Sequence, residues 1–394
     1  MIFVSIPTPK ILTPKRILVC ILIIYLIWSV LYAAFVPPWE SPDELAHYLY
    51  VAYLAQHGTP PESSSAQHSE LFPAIGHVTS MYEWYQPVLG YVPHVLVYRI
   101  WSLFNVQGLP RTFPPVNPAF ATSPIAQAYM FLPETTQPLD WLRLYPGLLA
   151  LRLTSSLLGM LTILVIWRTA LVIWPGELAF AVAVAAVVAL IPEFILVSAT
   201  VRSDCAQNLV SAAALLAMVQ LVSRSNPPSQ RTVLFLGLLG AAACLTKYTL
   251  LFIIPLTAVA LAMSSPRPRT WLTLAGWLAV PIIISLGLYH LVFMPGRQVL
   301  GFAQHELHIS TSLFGWKTVT DGLSLLCDLF WGRFGWANGT LPPLWAQIPT
   351  VLSLSGIVMS IETIIFYKRI GCLSATTWRQ LVVLILAIRC QHIV

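Results

Sequence analysis

The chain has 394 residues, 57% of them hydrophobic, and its 21 basic and 15 acidic side chains make up only 9% of it. A soluble domain carries about 25% charged residues, so a cytosolic globular enzyme is excluded, and disorder is excluded because it needs low hydrophobicity and high charge. The mean hydropathy of +0.76 points to lipid as the main solvent, and 31 Pro and 14 Trp fit interrupted helices and interfacial anchors.

A crossing helix needs about 20 mostly apolar residues. In chain order such runs fall at 17–36, 144–166, 178–199, 205–222, 233–245, 248–263, 271–293 and 344–367. A last run, 381–394, is short, and the chain stops inside it, as an incomplete protein would. The fifth and sixth runs are short and share Lys247 at their junction, which reads as two short helices meeting at the outer face. The stretch 87–104 contains His94 and Arg99 and reads as an interfacial or re-entrant helix. The expectation is one polytopic domain over 1–394.

Net charge +6 is not a nucleic-acid signal here; basic residues have to be read by side of the membrane. Lys15 and Arg16 precede the first span, and Arg168, Arg224, Arg231, Arg269 and Arg379 fall where loops alternate onto the same side. That side reads as cytoplasmic, with the N-terminus on it. Two long loops, 37–143 and 294–343, then face outward and hold most of the acids. Six scattered cysteines without a CxxC suggest neither a disulfide framework nor a metal cluster.

The first outer loop opens with Pro37-Pro38-Trp39-Glu40-Ser41-Pro42-Asp43-Glu44. Ser41 as N-cap, Pro42 at N1 and Glu44 at N3 make a capping box, and Gly58 is a C′ stop, so a helix is expected over 42–57. Asp43, His47, Tyr50 and His57 share one face of it, and the helix should lie at the outer surface. Capping explains Glu44 without chemistry, and a first-turn acid explains Asp43. Against this, Glu40, Asp43 and Glu44 cluster where a cation could bind or a general base could act.

Ser41–His47 resembles the P-P-D-E-x-x-H motif of the bacterial DUF2142 membrane proteins. More broadly, the loop resembles that of GT-C glycosyltransferases, which include the dolichyl-phosphate-mannose protein mannosyltransferases. Four further stretches agree in order. Tyr85–Tyr91 (YQPVLGY) is similar to QPPLYY, with Val88 in place of the second proline and Gly90 in place of the first tyrosine. Leu151–Thr162 is similar to an R-x-x-S-x-x-x-G span. Ser198–Asp204 with Leu245–Thr249 supplies a span-end Asp and a later Lys, and Phe330–Pro343 supplies F-W-G-x-F-G-W.

The resemblance implies an all-α, multi-pass transmembrane bundle of GT-C type, with juxtamembrane helices in a large extracytoplasmic first loop. It implies a polyprenyl-phosphate-linked sugar as donor, an acceptor of the cell envelope, and an inverting transfer outside the plasma membrane. Asp43 would be the base, with Glu44 and Glu83 as further carboxylates. Arg152, Lys247, Arg202 and Arg333 would hold the donor phosphate. His47, Tyr50 and Gln86 would contact acceptor or sugar. No organic cofactor is implied; a divalent cation is compatible. Bland readings stand beside these: Glu83 as a solvated loop acid, Arg152 as a snorkelling side chain, Arg202 as a partner for Asp204. Glu193, inside the third run, is a candidate partner for Arg152.

Weaker signals are His305 and His308, spaced for a metal if helical, the sequon at Asn338, and Trp331, Trp336 and Trp345 as stacking surfaces. Two rival functions remain open. A lipid-glycan flippase or transporter would use Arg152, Lys247 and Glu193 as a pathway, and a non-catalytic subunit would tolerate the altered Tyr85–Tyr91 stretch.

Overall fold

The computed structural model describes residues 13–61, 82–104, 108–110, 113–115, 117, 130–132, 139–264, 268–293 and 374–391, the pairs 333–334 and 339–340, and positions 347, 350, 351, 355 and 362. Almost all of their secondary structure is helical. The helices are α1 (Pro14–Phe35), α2 (Glu44–His57), α3 (Val92–Phe104), α4 (Trp141–Leu144), α5 (Pro146–Ile173), α6 (Leu178–Ala189) and α7 (Pro192–Val197). They continue with α8 (Asp204–Val222), α9 (Gln230–Thr246), α10 (Ile253–Ser264), α11 (Pro268–Phe293) and α12 (Ala375–Gln391). Two two-residue strands, β1 (Arg333–Phe334) and β2 (Gly339–Thr340), pair antiparallel.

The protein is a multi-pass membrane protein. Among the described residues α1, α5, α8 and the stretch Trp271–Phe293 of α11 are long and apolar enough to cross a membrane. Their outer faces carry exposed Ile, Leu, Val and Phe, as a lipid-facing surface does. The expected run 178–199 is not one helix. It breaks after α6 and restarts at Pro192, because proline cannot donate to the ladder but fits a helix's first turn. The expected junction at Lys247 holds. Lys247 is the extended C-cap of α9, and a 3-10 turn, Tyr248–Phe252, leads into α10. The run 344–367 lies outside the described residues except for isolated positions.

Helix α5 is the centre of the bundle, packing on α1, α3, α6 and α8, while α8 and α11 flank α9. Small residues allow close approach, as is usual between membrane helices. One face of α5 presents Ser155, Ser156, Gly159 and Thr162, all buried. Ser156 Oγ donates to the Ser198 carbonyl (3.1 Å), and Ser29 Oγ donates to Ser156 Oγ (2.7 Å).

The helix expected after the first span forms, but the polar face it was expected to show is largely buried. Helix α2 is buried from Glu44 through Ala52. Its Leu45, Tyr48, Leu49 and Val51 join Tyr91, Val95, Tyr98, Leu148 and Leu151 in one apolar cluster. Gly58 ends α2 at φ 74°, its N–H bonded to the Leu54 carbonyl, as expected for a left-handed C-terminal stop. The predicted apolar stretch 87–104 forms a 3-10 turn (Val88–Tyr91) running into α3, which packs on α2 and α5.

Candidate active site

The loop between α1 and α2 is held from four sides. Arg152, fully buried two turns inside α5, grips Glu44, the first residue of α2 and also fully buried. Its Nε donates to Oε1 (2.7 Å) and its Nη2 to Oε2 (2.6 Å). Nη1 donates to the carbonyls of Ala33 (2.8 Å) and Val36 (2.6 Å), and Trp141 lies 5.0 Å from the guanidinium. The planar fork of arginine suits such a two-pronged grip. The Glu44 carboxylate also accepts the N–H of Trp39 (3.3 Å) and of Val201 (3.2 Å).

This geometry corrects three expectations. The capping box does not form: α2 starts at Glu44 after Asp43, and no side chain caps it. Glu44 is drawn to Arg152, and Ser41 Oγ accepts from Arg202 Nη2 (3.1 Å) instead. The partner of Arg152 is Glu44, not Glu193, which sits in the first turn of α7. Arg152 and Glu44, each with no exposed surface and every guanidinium nitrogen engaged, are placed as a clasp under the loop rather than at a surface open to a donor.

Glu40 has a similar part. Its carboxylate accepts the N–H groups of Met130 (3.0 Å) and Phe131 (3.0 Å), which fastens a distant piece of the first loop. Burial raises this carboxyl above its usual range, and the two N–H groups pull it back. Asp43 thus belongs to a different neighbourhood from Glu40 and Glu44. Its backbone is left-handed at φ 64°, and Trp39, at φ 71°, shares that posture. Both are uncommon for residues with a side chain, Trp39 more so, and such outliers are worth a functional look. Arg202 holds the turn by donating to the Pro42 carbonyl.

A second polar cluster gathers at this same end of the bundle. Lys247, at the α9 junction, donates to Asp204 Oδ1 at the start of α8 (2.8 Å). Asp204 Oδ2 lies 3.9 Å from His47 Nε2. Tyr91 OH is 2.7 Å from His47 Nδ1, and an Nε2–H facing the carboxylate makes the phenol the donor in that bond. Tyr91 stacks on Tyr50 (ring centroids 4.3 Å apart), whose hydroxyl donates to the Gln86 carbonyl (2.7 Å). His47 and Tyr50, expected to contact sugar or acceptor, therefore spend these polar atoms on the protein. His57 is not among them; it is exposed at the far end of α2, its ring tilted against Tyr53.

The electrostatics follow from burial. Desolvation pushes the His47 ring down to about 3, with Asp204 opposing and Lys247, Arg202 and His94 adding, so His47 is neutral at ordinary pH. Burial pushes Glu83 up to about 7; Lys247 lowers it, while Asp43 and Asp204 raise it further. Asp43 and Glu83 thus feel each other's charge. Among the described residues, buried polar atoms around this cluster without a hydrogen-bond partner include Glu83 Oε2, Gln86 Oε1 and Arg202 Nε. Buried polar groups are normally satisfied, so each needs an explanation. An acceptor pair beside a guanidinium donor and an ammonium is suited to a polar ligand with both hydroxyl and anionic groups.

The structure thus brings together Asp43, Glu83, Gln86, His47, Tyr50, Arg202 and Lys247, and sets Arg152 and Glu44 apart. Arg333 lies in β1, and its side chain falls outside the description. His305, His308, Asn338, Trp331, Trp336 and Trp345 lie outside the described residues. Among the described residues no group of three or more His, Cys, Asp or Glu is placed to hold a metal ion. Sequence reading weighed Asp204 only as a partner for Arg202 or a motif position, and did not single out Tyr91. The available signal for Asp204 was a lone acid opening a span.

Compared with known proteins, residues 146–293 match the family described as dolichyl-phosphate-mannose-protein mannosyltransferase. That segment covers α5 to α11, including Asp204 and Lys247. No curated protein matches the chain. Among solved structures, the chain is similar to a chain of the S. cerevisiae protein O-mannosyltransferase Pmt1-Pmt2 complex bound to the sugar donor. The identity is 14%, the TM-score 0.43, and the alignment covers 72% of this chain and 34% of that one. The chain therefore spans about a third of that relative's length.

Proposed function

We propose that this protein is a membrane glycosyltransferase of the GT-C type that moves a sugar from a polyprenyl-phosphate donor to an acceptor on the extracytoplasmic side. The observation that carries this reading is the cluster at one end of the bundle. There Lys247, Asp204 and Arg202, within the segment matching a mannosyltransferase family, meet the loop acids Asp43 and Glu83. The closer grouping with the DUF2142 proteins rests on the order of the motifs from Ser41–His47 onward.

Three jobs are needed, and the cluster has a group for each. The acceptor hydroxyl attacks the anomeric carbon while Asp43 takes its proton. The bond from that carbon to the phosphate oxygen breaks, and the lipid phosphate leaves with the electron pair. Lys247 and the unpaired Arg202 Nε stabilise the charge that develops on it. Attack from the face opposite the leaving phosphate inverts the anomeric centre. Glu83 and Gln86 orient the acceptor through their unpaired oxygens, and Arg152 with Glu44 keeps the Asp43 turn in place.

Sidedness is supported by the distribution of charge. The cluster lies where α1 ends and α8 begins. Lys15, Arg16, Arg168, Arg224 and Arg231 sit at the other ends of their helices, as a cytoplasmic face requires. That arrangement supports a reading with the N-terminus in the cytoplasm and the site outside the plasma membrane, facing a cell-envelope acceptor. The flippase reading loses part of its pathway, because Arg152 is locked on Glu44 rather than paired with Glu193.

The test is a transfer assay. Purified protein in vesicles receives a labelled polyprenyl-phosphate sugar and cell-envelope acceptors. The expected result is label on the acceptor with wild type and none with Asp43→Asn at an unchanged unfolding temperature. Equal transfer by both would remove Asp43 as base, and labelled lipid crossing the vesicle without transfer would favour the flippase.

A further inference from the structure

Gly90 lies in the 3-10 turn Val88–Tyr91, where the sequence departs from the pattern it resembles. Its backbone is not left-handed, so conformational freedom does not explain a glycine. Space does. A Cβ at position 90 would stand 2.7 Å from the Thr246 carbonyl oxygen and 3.1 Å from Ser203 Cβ. Ordinary contact begins at 3.4 Å, so the first of these would have to open by roughly 0.7 Å. The obstacle is a backbone atom at the end of α9, which cannot rotate aside.

The neighbours of these contacts make the position special. Thr246 immediately precedes Lys247, and Ser203 immediately precedes Asp204. Tyr91 immediately follows Gly90 and reaches His47 Nδ1. One bare glycine therefore sits against the residues that immediately precede Lys247 and Asp204, and is followed by the tyrosine that bonds His47. A tyrosine at 90 could not be seated between α8 and α9.

We propose that Gly90 is a positioning residue of this site: the missing side chain lets the turn press between Ser203 and Thr246, and so sets the spacing of Lys247, Asp204 and His47. This rests on the reading of the cluster as the seat of the donor phosphate. A side chain at 90 pushes the turn outward, carries Tyr91 off His47 and lets water reach the imidazole. A displacement of under 1 Å at a reacting site is enough to cost one to two orders of magnitude in rate.

The experiment compares the full-length protein with Gly90→Ala and with Leu89→Ala, whose side chain in the same turn is largely outside the cluster. Two readouts are taken: kcat and acceptor KM in the transfer assay, and the titration of the His47 ring by nitrogen NMR. Expected for Gly90→Ala are a kcat lowered about tenfold or more, an unchanged acceptor KM and a folded protein with a somewhat lowered unfolding temperature. His47, neutral down to about pH 3 in wild type, would titrate closer to the ordinary histidine value. Leu89→Ala should match wild type in both. An unaltered His47 titration in folded Gly90→Ala overturns the proposal. If wild type transfers no sugar, the functional reading fails, while the His47 titration still decides the role of Gly90. Should Gly90→Ala not fold, Ser203→Thr thickens the other side of the same contact and is judged by the same His47 titration.

Discussion

Lys247 and Asp204 are 43 residues apart in the chain, and their side chains meet at 2.8 Å. The pair joins the end of α9 to the start of α8, and Asp204 is shared with His47 of the first loop. An ammonium paired with a carboxylate can exchange that partner for a phosphate. Replacing Lys247 by Ala is expected to cut transfer by about 10²-fold, in line with removal of one group that stabilises developing charge. The loss should fall mainly on kcat. An unchanged kcat measured with saturating donor would remove Lys247 from the leaving-group role.

Asp43 combines a carboxylate with a left-handed backbone. Asn tolerates that posture nearly as well as Asp, whereas Ala does not. Asp43→Asn should therefore abolish transfer without changing thermal stability. Asp43→Ala should abolish transfer and also cost about 1–2 kcal/mol of stability. Chemical denaturation of the two variants in the same detergent separates the backbone effect from the chemical one.

The Arg152–Glu44 pair is fully buried and held at both oxygens. Removing one member leaves a buried charge without its counter-charge, which costs about 3–5 kcal/mol. Arg152→Gln and Glu44→Gln should each lower the unfolding temperature, and the double variant should lose less than the two single losses added together. Additive losses would show that the two side chains do not act as a pair.

Glu83 supplies a pH dependence with a definite sign. Its carboxyl is raised from 4.5 to about 7 by burial. A raised carboxyl means that the folded state binds the proton more tightly than the unfolded state. Its contribution to stability is therefore full below about pH 4.5 and is lost as the pH climbs through about 7. Glu83→Gln should match wild type in unfolding temperature at low pH and exceed it above pH 7. Transfer that needs ionised Glu83 should rise through this same range, and the Gln variant should lose that acid limb. A wild-type pH–rate profile that is flat from pH 5 to 8 would rule out Glu83 as an ionised participant.

Much of this was legible in the chain itself. Gly58 marked the end of α2 and Lys247 marked the meeting of α9 and α10, whereas the run 178–199 reads as one span and breaks before Pro192. The first two are local signals, written in backbone permissiveness and in runs of apolar residues. The site was half legible. Asp43, Glu83, Arg202 and Lys247 could be singled out because charges are rare here, but Asp204 and Tyr91 could not be ranked, since their meaning lies in contacts with residues far away in sequence.

The sequence by itself determined that lipid is the solvent, where most helices run and which few charges need explaining, because hydropathy and helix length follow from composition within a window. Only the tertiary structure decided how neighbouring carboxylates divide their work. Glu44 and Asp43 are adjacent in the chain, yet the turn at Asp43 sends one inward to Arg152 and leaves the other half-buried, near Glu83. That division depends on α5 placing an arginine two turns inside its helix, where it meets Glu44. Such long-range steric and electrostatic matches arise only when helices distant in sequence are packed together.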